Sequence, residues 1–299
     1  MTLSVIIPAT NISTRYRTLK AMIQGGICQG FQIVLVLDEV PEEEEQSLDL
    51  REYSDVVVVR GNFGSAGMAR NAGLSRANQD WVTFWDCDDW PNAVEVNGLL
   101  EDTKRNCKEV GLGAYSILDL ALPDMRKVSG EYDWVRDFIK YPGIWRFVFL
   151  RKIVEQIRFS NEVIGEDLEF LSEIFARNVS IHISDRLVYT YVVNSSDQLT
   201  QRLKEKPKII TSSLMTIRKR AFQLKKSKSR IKKNENRTSN VLFESVLIRL
   251  SISLLKNSSN IRERIKILLY LLNLSNFNLV GKMRVIRIYL YLLRERLEQ

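Results

Sequence analysis

Trp81-Val82-Thr83-Phe84-Trp85-Asp86-Cys87-Asp88-Asp89-Trp90-Pro91 reads as a short apolar strand that runs into three carboxylates and is stopped by a proline. An apolar run of this length fits a fully buried strand, and Pro91 cannot continue one. Carboxylates this close repel one another unless something positive sits among them. Two readings are open: an Asp-capped polar turn, or a site where a hard divalent cation is held by one or two carboxylates and a substrate's phosphates.

Working outward, the preceding chain alternates strands with helices. Leu3 to Ile7 is a buried-type strand closed by Pro8, and Thr14 to Gln24 has a helical pattern ended by Gly25-Gly26. Gln32 to Asp38 is a second strand with a carboxylate at its end. Glu42 to Tyr53 is an acidic helix, Asp55 to Arg60 a third strand, Gly64 to Ala77 a helix and Trp81 to Asp86 the fourth strand. This alternation predicts a parallel α/β sheet, in which ligands bind beyond the carboxyl ends of the strands. Pro8-Ala9-Thr10, Asp38, Gly61-Asn62 and Asp86 to Asp89 all fall there. Gly61, Gly64 and Gly67 have the spacing G-x-x-G-x-x-G rather than the dinucleotide fingerprint, and no Walker sequence occurs.

Composition sets the boundaries. The 299 residues are 45% hydrophobic, enough for one large domain or two. The net charge of +8 hides an asymmetry: residues 1–201 hold 20 Lys and Arg against 30 Asp and Glu, while 202–237 hold 14 against 2. Cys28, Cys87 and Cys107 have no paired spacing, which fits a reducing compartment and neither a disulfide framework nor a zinc site. No run reaches about 18 uninterrupted apolar residues, and Met1 to Ser4 lead directly into the first strand with no basic n-region or long apolar h-region, so no leader is expected. His182 alternates with Ile181 and Ile183 on a strand and is read as a core or edge residue, not a ligand.

Ser4-Val5-Ile6-Ile7-Pro8, Asp38, Gly67-Met68-Ala69-Arg70-Asn71-Ala72-Gly73-Leu74, Phe84 to Asp89 and Gly165-Glu166-Asp167-Leu168-Glu169-Phe170 occur in that order. Together they resemble the family-2 inverting glycosyltransferases of the GT-A fold, over roughly residues 1–200. The resemblance implies a Rossmann-like mixed, mostly parallel sheet flanked by helices, with a helical C-terminal region. It implies a nucleotide-sugar donor, expected to be a UDP-sugar, and Mn²⁺ or Mg²⁺. Pro8, Ala9, Thr10, Asp38, Asn62, Arg70, Asp86 and Asp88 would hold the nucleotide sugar, with Asp38 on the base and Asp88 on the ribose. Asp88 and Asp89 would hold the metal, Asp89 chiefly. Asp167 would be the catalytic base, with Glu166 helping to bind or position the acceptor. Read without the resemblance, Glu166 and Asp167 are ordinary acidic residues in a first helical turn.

Some features depart from the family pattern. Asp38-Glu39-Val40-Pro41 replaces the usual acidic-Gly-Ser turn, and the strand Leu187 to Val193 lacks the arginine that follows it. No Gln-x-x-Arg-Trp occurs, against a processive synthase. A glycan or lipid-linked saccharide is the expected acceptor. A binding scaffold without turnover, part of a polysaccharide-assembly complex, is the alternative; a nucleotidylyltransferase is disfavoured because no Gly-rich, Arg-containing loop follows the first strand.

The expected organisation is a catalytic domain over 1–205, a basic helical linker over 206–240 and a helical region over 241–299. Helices are expected over 209–224, 241–255, 261–272 and 283–297. The polybasic run Lys225 to Arg237 beside apolar helices points to an anionic membrane surface, and so to the cytoplasmic face of the cell membrane. A solvated linker and a homo-oligomerising helical module are the alternatives. Stacking aromatics are absent from 223–240, so no nucleic-acid partner is expected.

Overall fold

Strands without a polar face need cover on both sides, and here helices supply it. The computed structural model describes residues 3–48, 50, 53, 56–121, 126–128, 134–194, 206–228, 237–257 and 267. The first half runs β1 (Leu3–Ala9), α1 (Ile12–Cys28), β2 (Gln32–Asp38), α2 (Glu42–Ser47), β3 (Val56–Gly61), α3 (Ala66–Leu74) and β4 (Trp81–Phe84). β1 pairs in parallel with β2 on one side and β4 on the other, and β2 pairs in parallel with β3. The chain therefore steps outward from β1 to β3, then returns to the other side of β1. The carboxyl ends of β1 and β4 meet at that reversal, where a doubly wound sheet opens a crevice.

The second half extends the same sheet with β5 (Trp90–Pro91), α4 (Ala93–Arg105), β6 (Val110–Asp119), β7 (Arg126–Val128) and α5 (Trp134–Lys140). A 3₁₀ turn (Ile144–Arg146) leads to β8 (Phe147–Leu150), α6 (Arg151–Val154), α7 (Glu166–Ala176) and β9 (Ile181–Val193). The order is β3-β2-β1-β4-β8-β6-β9-β5, with β7 on β6. β8 runs antiparallel to β4 and β6, while β9 is parallel to β6 over the longest ladder. The mixed, mostly parallel sheet expected from the resemblance is what the chain forms.

Side-chain alternation sorts the core onto two faces. Ile6, Val34, Val36, Val82 and Phe84 pack beneath α3 and α7 with Leu168, Phe170, Leu171 and Ile174. Leu3, Val5, Ile7, Ile33, Leu35 and Leu37 pack beneath α1 and α4 with Leu19, Met22, Ile23, Val96 and Leu99. Helix α1 continues through Gly25-Gly26, where the sequence reading ended it. A side chain at Gly26 would meet Ile33 at 2.6 Å, so the glycine serves close helix–strand packing. β4 ends at Phe84, two residues before the expected limit, and the acidic helix α2 stops at Ser47. β6 and α4 were not anticipated.

The basic C-terminal stretch folds back onto the sheet and its helices. α8 (Pro207–Lys228) and α9 (Arg237–Asn257) both pack on α7. Ile210, Leu214, Ile217, Ala221, Leu242, Val246 and Leu250 share one core with Phe170 and Ile174. Arg237–Leu255 is long and apolar enough to cross a membrane by length and composition, but 67% of that stretch is buried here, as in a core helix. The helices expected over 261–272 and 283–297 and most of the run 225–237 lie outside the described residues.

Gly165, at φ +85°, starts α7 in the left-handed region, and a side chain there would meet Ile217 at 3.0 Å and Leu214 at 3.3 Å. Gly165→Ala is expected to cost about 1–3 kcal/mol through backbone strain. Urea unfolding of the variant checks this; an unchanged midpoint would refute it.

Candidate active site

The site begins with the local chemistry of α3. Ser65 caps the helix by accepting a hydrogen bond from the Met68 N–H. A side chain at Gly67 would meet the Ser160 carbonyl at 2.6 Å and Glu166 at 3.1 Å, so the helix lies directly against the segment that leads into α7. Asn71 fixes that segment from both sides: its Nδ2 donates to the Phe159 carbonyl and its Oδ1 accepts from the Phe159 N–H, each at 2.9 Å. Phe159 in turn stacks on Phe170 at 4.0 Å.

Arg70, one turn into α3, is 5% exposed and joins two elements. Its Nη2 donates to Asp86 Oδ1 at 2.6 Å and its Nη1 to Glu166 Oε1 at 2.8 Å. Burial works against the guanidinium charge, but Asp86 and Glu166 more than offset it and raise its pKa above the ordinary value. The cation thus ties the end of β4 to the first turn of α7.

The carboxylate cluster follows β4. The Trp85 N–H still donates to the Ile6 carbonyl at 3.0 Å, after which the chain turns, with the Asp89 N–H on the Asp86 carbonyl at 3.2 Å. The Asp86 N–H donates to the Tyr189 hydroxyl at 3.0 Å. Asp88 is paired with Arg15 of α1 at 3.8 Å, and its side chain is 25% exposed. Asp89 is inside the protein: Oδ1 accepts from the Val192 N–H at 2.8 Å, and Oδ2 is buried with no hydrogen bond among the described residues. Burial, Asp88 and Asp86 push its carboxyl well above the usual range. Burial and Asp86 also raise Asp88, with Arg15 opposing. Burial pushes the Cys87 thiol up to about 11, which favours its protonated form, and its Sγ accepts from Arg15 Nη1 at 3.2 Å.

Asp167 lies on the same side as Arg70. Its Oδ1 accepts from the Leu168 N–H at 2.8 Å, and burial and Glu166 push the carboxyl up to about 7, against the pull of Arg70. A buried carboxylate that titrates near neutrality has the acidity a general base needs.

Asp38 is buried at the end of β2 and accepts the Phe63 N–H at 2.6 Å. Ala9 is buried, with Pro8 partly covered and Thr10 exposed at the end of β1. Asn62 is exposed just past β3. The structure thus brings Arg70, Asp86 and Glu166 into contact and sets Asp88 and Asp89 on the adjoining turn. Asp38 and Asn62 stand at neighbouring strand ends. His182 sits on β9 in register with Gly111.

Sequence reasoning missed Arg15, which faces Asp88, and an aromatic wall. Trp145 stacks on Tyr189 at 4.4 Å and on Tyr191 at 5.5 Å, and Tyr141 adjoins Tyr191 at 6.0 Å. The period-2 pair Tyr189 and Tyr191 was the available signal.

Whether these residues suit a divalent cation is a question of charge and valence. The orphaned Asp89 Oδ2 and the raised Asp88 and Asp89 describe anions short of positive charge. Among the described residues no three His, Cys, Asp or Glu side chains form a ready cage. The fit is to a cation completed by phosphate oxygens rather than one held by protein alone.

Comparison with known proteins places this arrangement. The sequence model for glycosyl transferase family 2 matches residues 4–147. The uncharacterized glycosyltransferase EpsJ of Bacillus subtilis is 22% identical over 212 residues, 64% of this chain and 61% of that protein. The chain therefore spans about 61% of the length of the curated relative it matches. Among solved structures, S. aureus TarS 1-349 in complex with UDP-GlcNAc superposes with a TM-score of 0.67 at 16% identity, over 91% of this chain and 80% of that one. The mannosyltransferase PcManGT from Pyrobaculum calidifontis, in complex with GDP-Man and Mn²⁺, superposes at 0.57 with 13% identity, over 97% and 80%. At these identities the structural likeness is one of fold.

Proposed function

Since the chain belongs to glycosyl transferase family 2 and carries the GT-A fold, we propose that it transfers a sugar from a nucleotide-sugar donor to an acceptor hydroxyl, with inversion and without processivity. The observation that carries this is the Arg70 bridge. It ties Asp86 to Glu166, the neighbour of Asp167, whose carboxyl is pushed up to about 7, and so sets the first turn of α7 beside the turn that carries Asp88 and Asp89.

The division of labour follows from the surroundings. Asp38 receives the nucleotide base at the end of β2, with Pro8, Ala9, Thr10 and Asn62 lining the strand ends. Asp86 and Asp88 face the ribose, and Asp88 and Asp89 bind the divalent ion, Mn²⁺ or Mg²⁺. When bound, that ion supplies positive charge to the leaving diphosphate. Asp167 takes the proton from the acceptor hydroxyl as its oxygen attacks the anomeric carbon. Glu166, held by Arg70, fixes the start of α7 and the acceptor beside it. A UDP-sugar is the donor we favour, and a glycan or lipid-linked saccharide the acceptor. The basic C-terminal region would bring the enzyme to the inner face of the cell membrane.

Calorimetry with UDP tests the reading. Binding is expected to be about tenfold or more tighter with Mn²⁺ than without, an increment lost in Asp88→Asn and Asp89→Asn. Equal affinity in both conditions would remove the metal role. A panel of nucleotide sugars, screened for metal-dependent hydrolysis, then identifies the donor; absence of turnover with every donor would favour a binding scaffold instead.

A further inference from the structure

Two arginines meet the carboxylates that follow β4, and they hold them differently. Arg70 of α3 is fastened on two sides, to Asp86 at 2.6 Å and to Glu166 at 2.8 Å, and its side chain is 6% exposed. Both contacts are short charge-assisted hydrogen bonds, which fix a geometry. Arg15 lies in the opening stretch of α1. Its Nη2 stands 3.8 Å from Asp88 Oδ2, an ion pair too long to be a hydrogen bond. Its Nη1 donates to Cys87 Sγ at 3.2 Å, and a thiol sulfur is a weak acceptor. The Arg15 side chain is 13% exposed, so its charge is largely withdrawn from water beside the carboxylate turn.

Asp88 is claimed twice, by Arg15 and by the divalent cation assigned to it above. A cation on that carboxylate repels a guanidinium held against the same oxygens. Arg15 then keeps a poorly solvated charge with its carboxylate turned to another partner, which is costly unless a second anion arrives. The anion that arrives with the cation is the donor's diphosphate. A phosphate that shares an ion with Asp88 becomes the neighbour of that carboxylate, and so of Arg15. The planar fork of arginine matches phosphate oxygens two at a time. The side chain can turn from one anion to the other about its own bonds, with α1 unmoved.

We propose that Arg15 exchanges Asp88 for the donor's diphosphate: it balances the carboxylate in the free protein and clasps a phosphate when the nucleotide sugar binds. The inference rests on the nucleotide-sugar reading above. Arg15 thereby becomes a donor-binding residue, placed to oppose the charge that gathers on the diphosphate as the sugar departs. Arg70 keeps the frame of the cleft while Arg15 changes partner.

The test is calorimetry on the full chain, wild type beside Arg15→Met and Arg15→Lys, with uridine, UDP and inorganic pyrophosphate as probes. Met keeps most of the side-chain volume; should that variant fail to fold by circular dichroism, Arg15→Gln replaces it. With Mn²⁺ present, UDP and pyrophosphate are expected to bind Arg15→Met about tenfold or more weakly, with uridine unaffected and Lys recovering part of the loss. The exchange itself is read without metal, by a double-mutant cycle on pyrophosphate. Asp88→Asn should strengthen pyrophosphate binding more in the protein that keeps Arg15 than in Arg15→Met, because only there do carboxylate and phosphate compete for one guanidinium. The proposal is overturned if UDP and pyrophosphate bind Arg15→Met within about twofold of wild type, or if wild type binds neither anion. It is equally overturned if Asp88→Asn helps pyrophosphate no more with Arg15 than without it. Failure of the nucleotide reading looks different: wild type then binds UDP no tighter than pyrophosphate, and the effect of Arg15 is still read on pyrophosphate.

Discussion

Asp167→Asn is expected to remove sugar transfer, by about 10²- to 10⁴-fold in kcat, while UDP affinity stays within about twofold. The amide keeps the shape of the side chain and still accepts the Leu168 N–H, but it cannot take a proton. Wild-type activity should carry the same signature in pH. The acting form is the ionised one, and burial and Glu166 push the carboxyl up to about 7. Below that pH kcat/KM should fall tenfold per unit, and above it level off. Stability runs the opposite way. A carboxyl whose folded-state pKa is raised binds its proton more tightly when folded, so it favours the fold at low pH. That advantage is lost as pH rises from about 4 to about 7, on the order of 4 kcal/mol at the plateau. Asp167→Asn should therefore melt higher than wild type at pH 8 and nearly with it at pH 4. A variant that retains turnover, or a flat pH–rate profile across 5 to 9, would exclude Asp167 as the base.

Much of this site was legible because the chemistry sits at strand ends, and strand ends can be read from sequence. Leu3 to Ile7, Gln32 to Asp38 and Trp81 to Phe84 are apolar enough to be buried on both faces, which fixes where their carboxyl ends lie. The run Gly67 to Gly73 was legible as a motif but not as a mechanism. Its glycines permit close approach to Ser160 and Ile6, its asparagine straps Phe159, and its arginine spans two elements. Arg70 was assigned to the nucleotide, but no spacing rule indicates that it joins Asp86 to a glutamate 96 residues away. Long-range pairing of this kind is set by how α3 and α7 pack, which depends on the whole core. The same holds for Arg15, whose partners Asp88 and Cys87 are more than 70 residues away. Glycines misled once, at Gly25-Gly26, because tight packing against Ile33 and a helix stop leave the same residue in the sequence.

Arg70→Met should be the most damaging single change to the fold of the site. Its guanidinium is 6% exposed and meets two carboxylates, Asp86 and Glu166, whose side chains are 26% and 12% exposed. Removing one partner of a buried ionic network leaves the other charges desolvated and unmatched, which costs about 3–5 kcal/mol. For a domain of this size that lowers the melting temperature by roughly 6–20 °C. Lys is a poor substitute, because its donors share one nitrogen, whereas the guanidinium meets Glu166 and Asp86 through two separate nitrogens held in a fixed plane. A second, independent consequence follows for the base. Arg70 is one of the charges holding Asp167 down, so its loss should move the pH–rate midpoint above 7. Adding Glu166→Gln to Arg70→Met removes one of the stranded charges. The double variant should recover part of the stability without recovering transfer, since the link between β4 and α7 stays broken. Urea unfolding and a pH–rate profile measure the two effects separately. If Arg70→Met unfolds within about 1 kcal/mol of wild type, the bridge is not what holds the two halves of the cleft together.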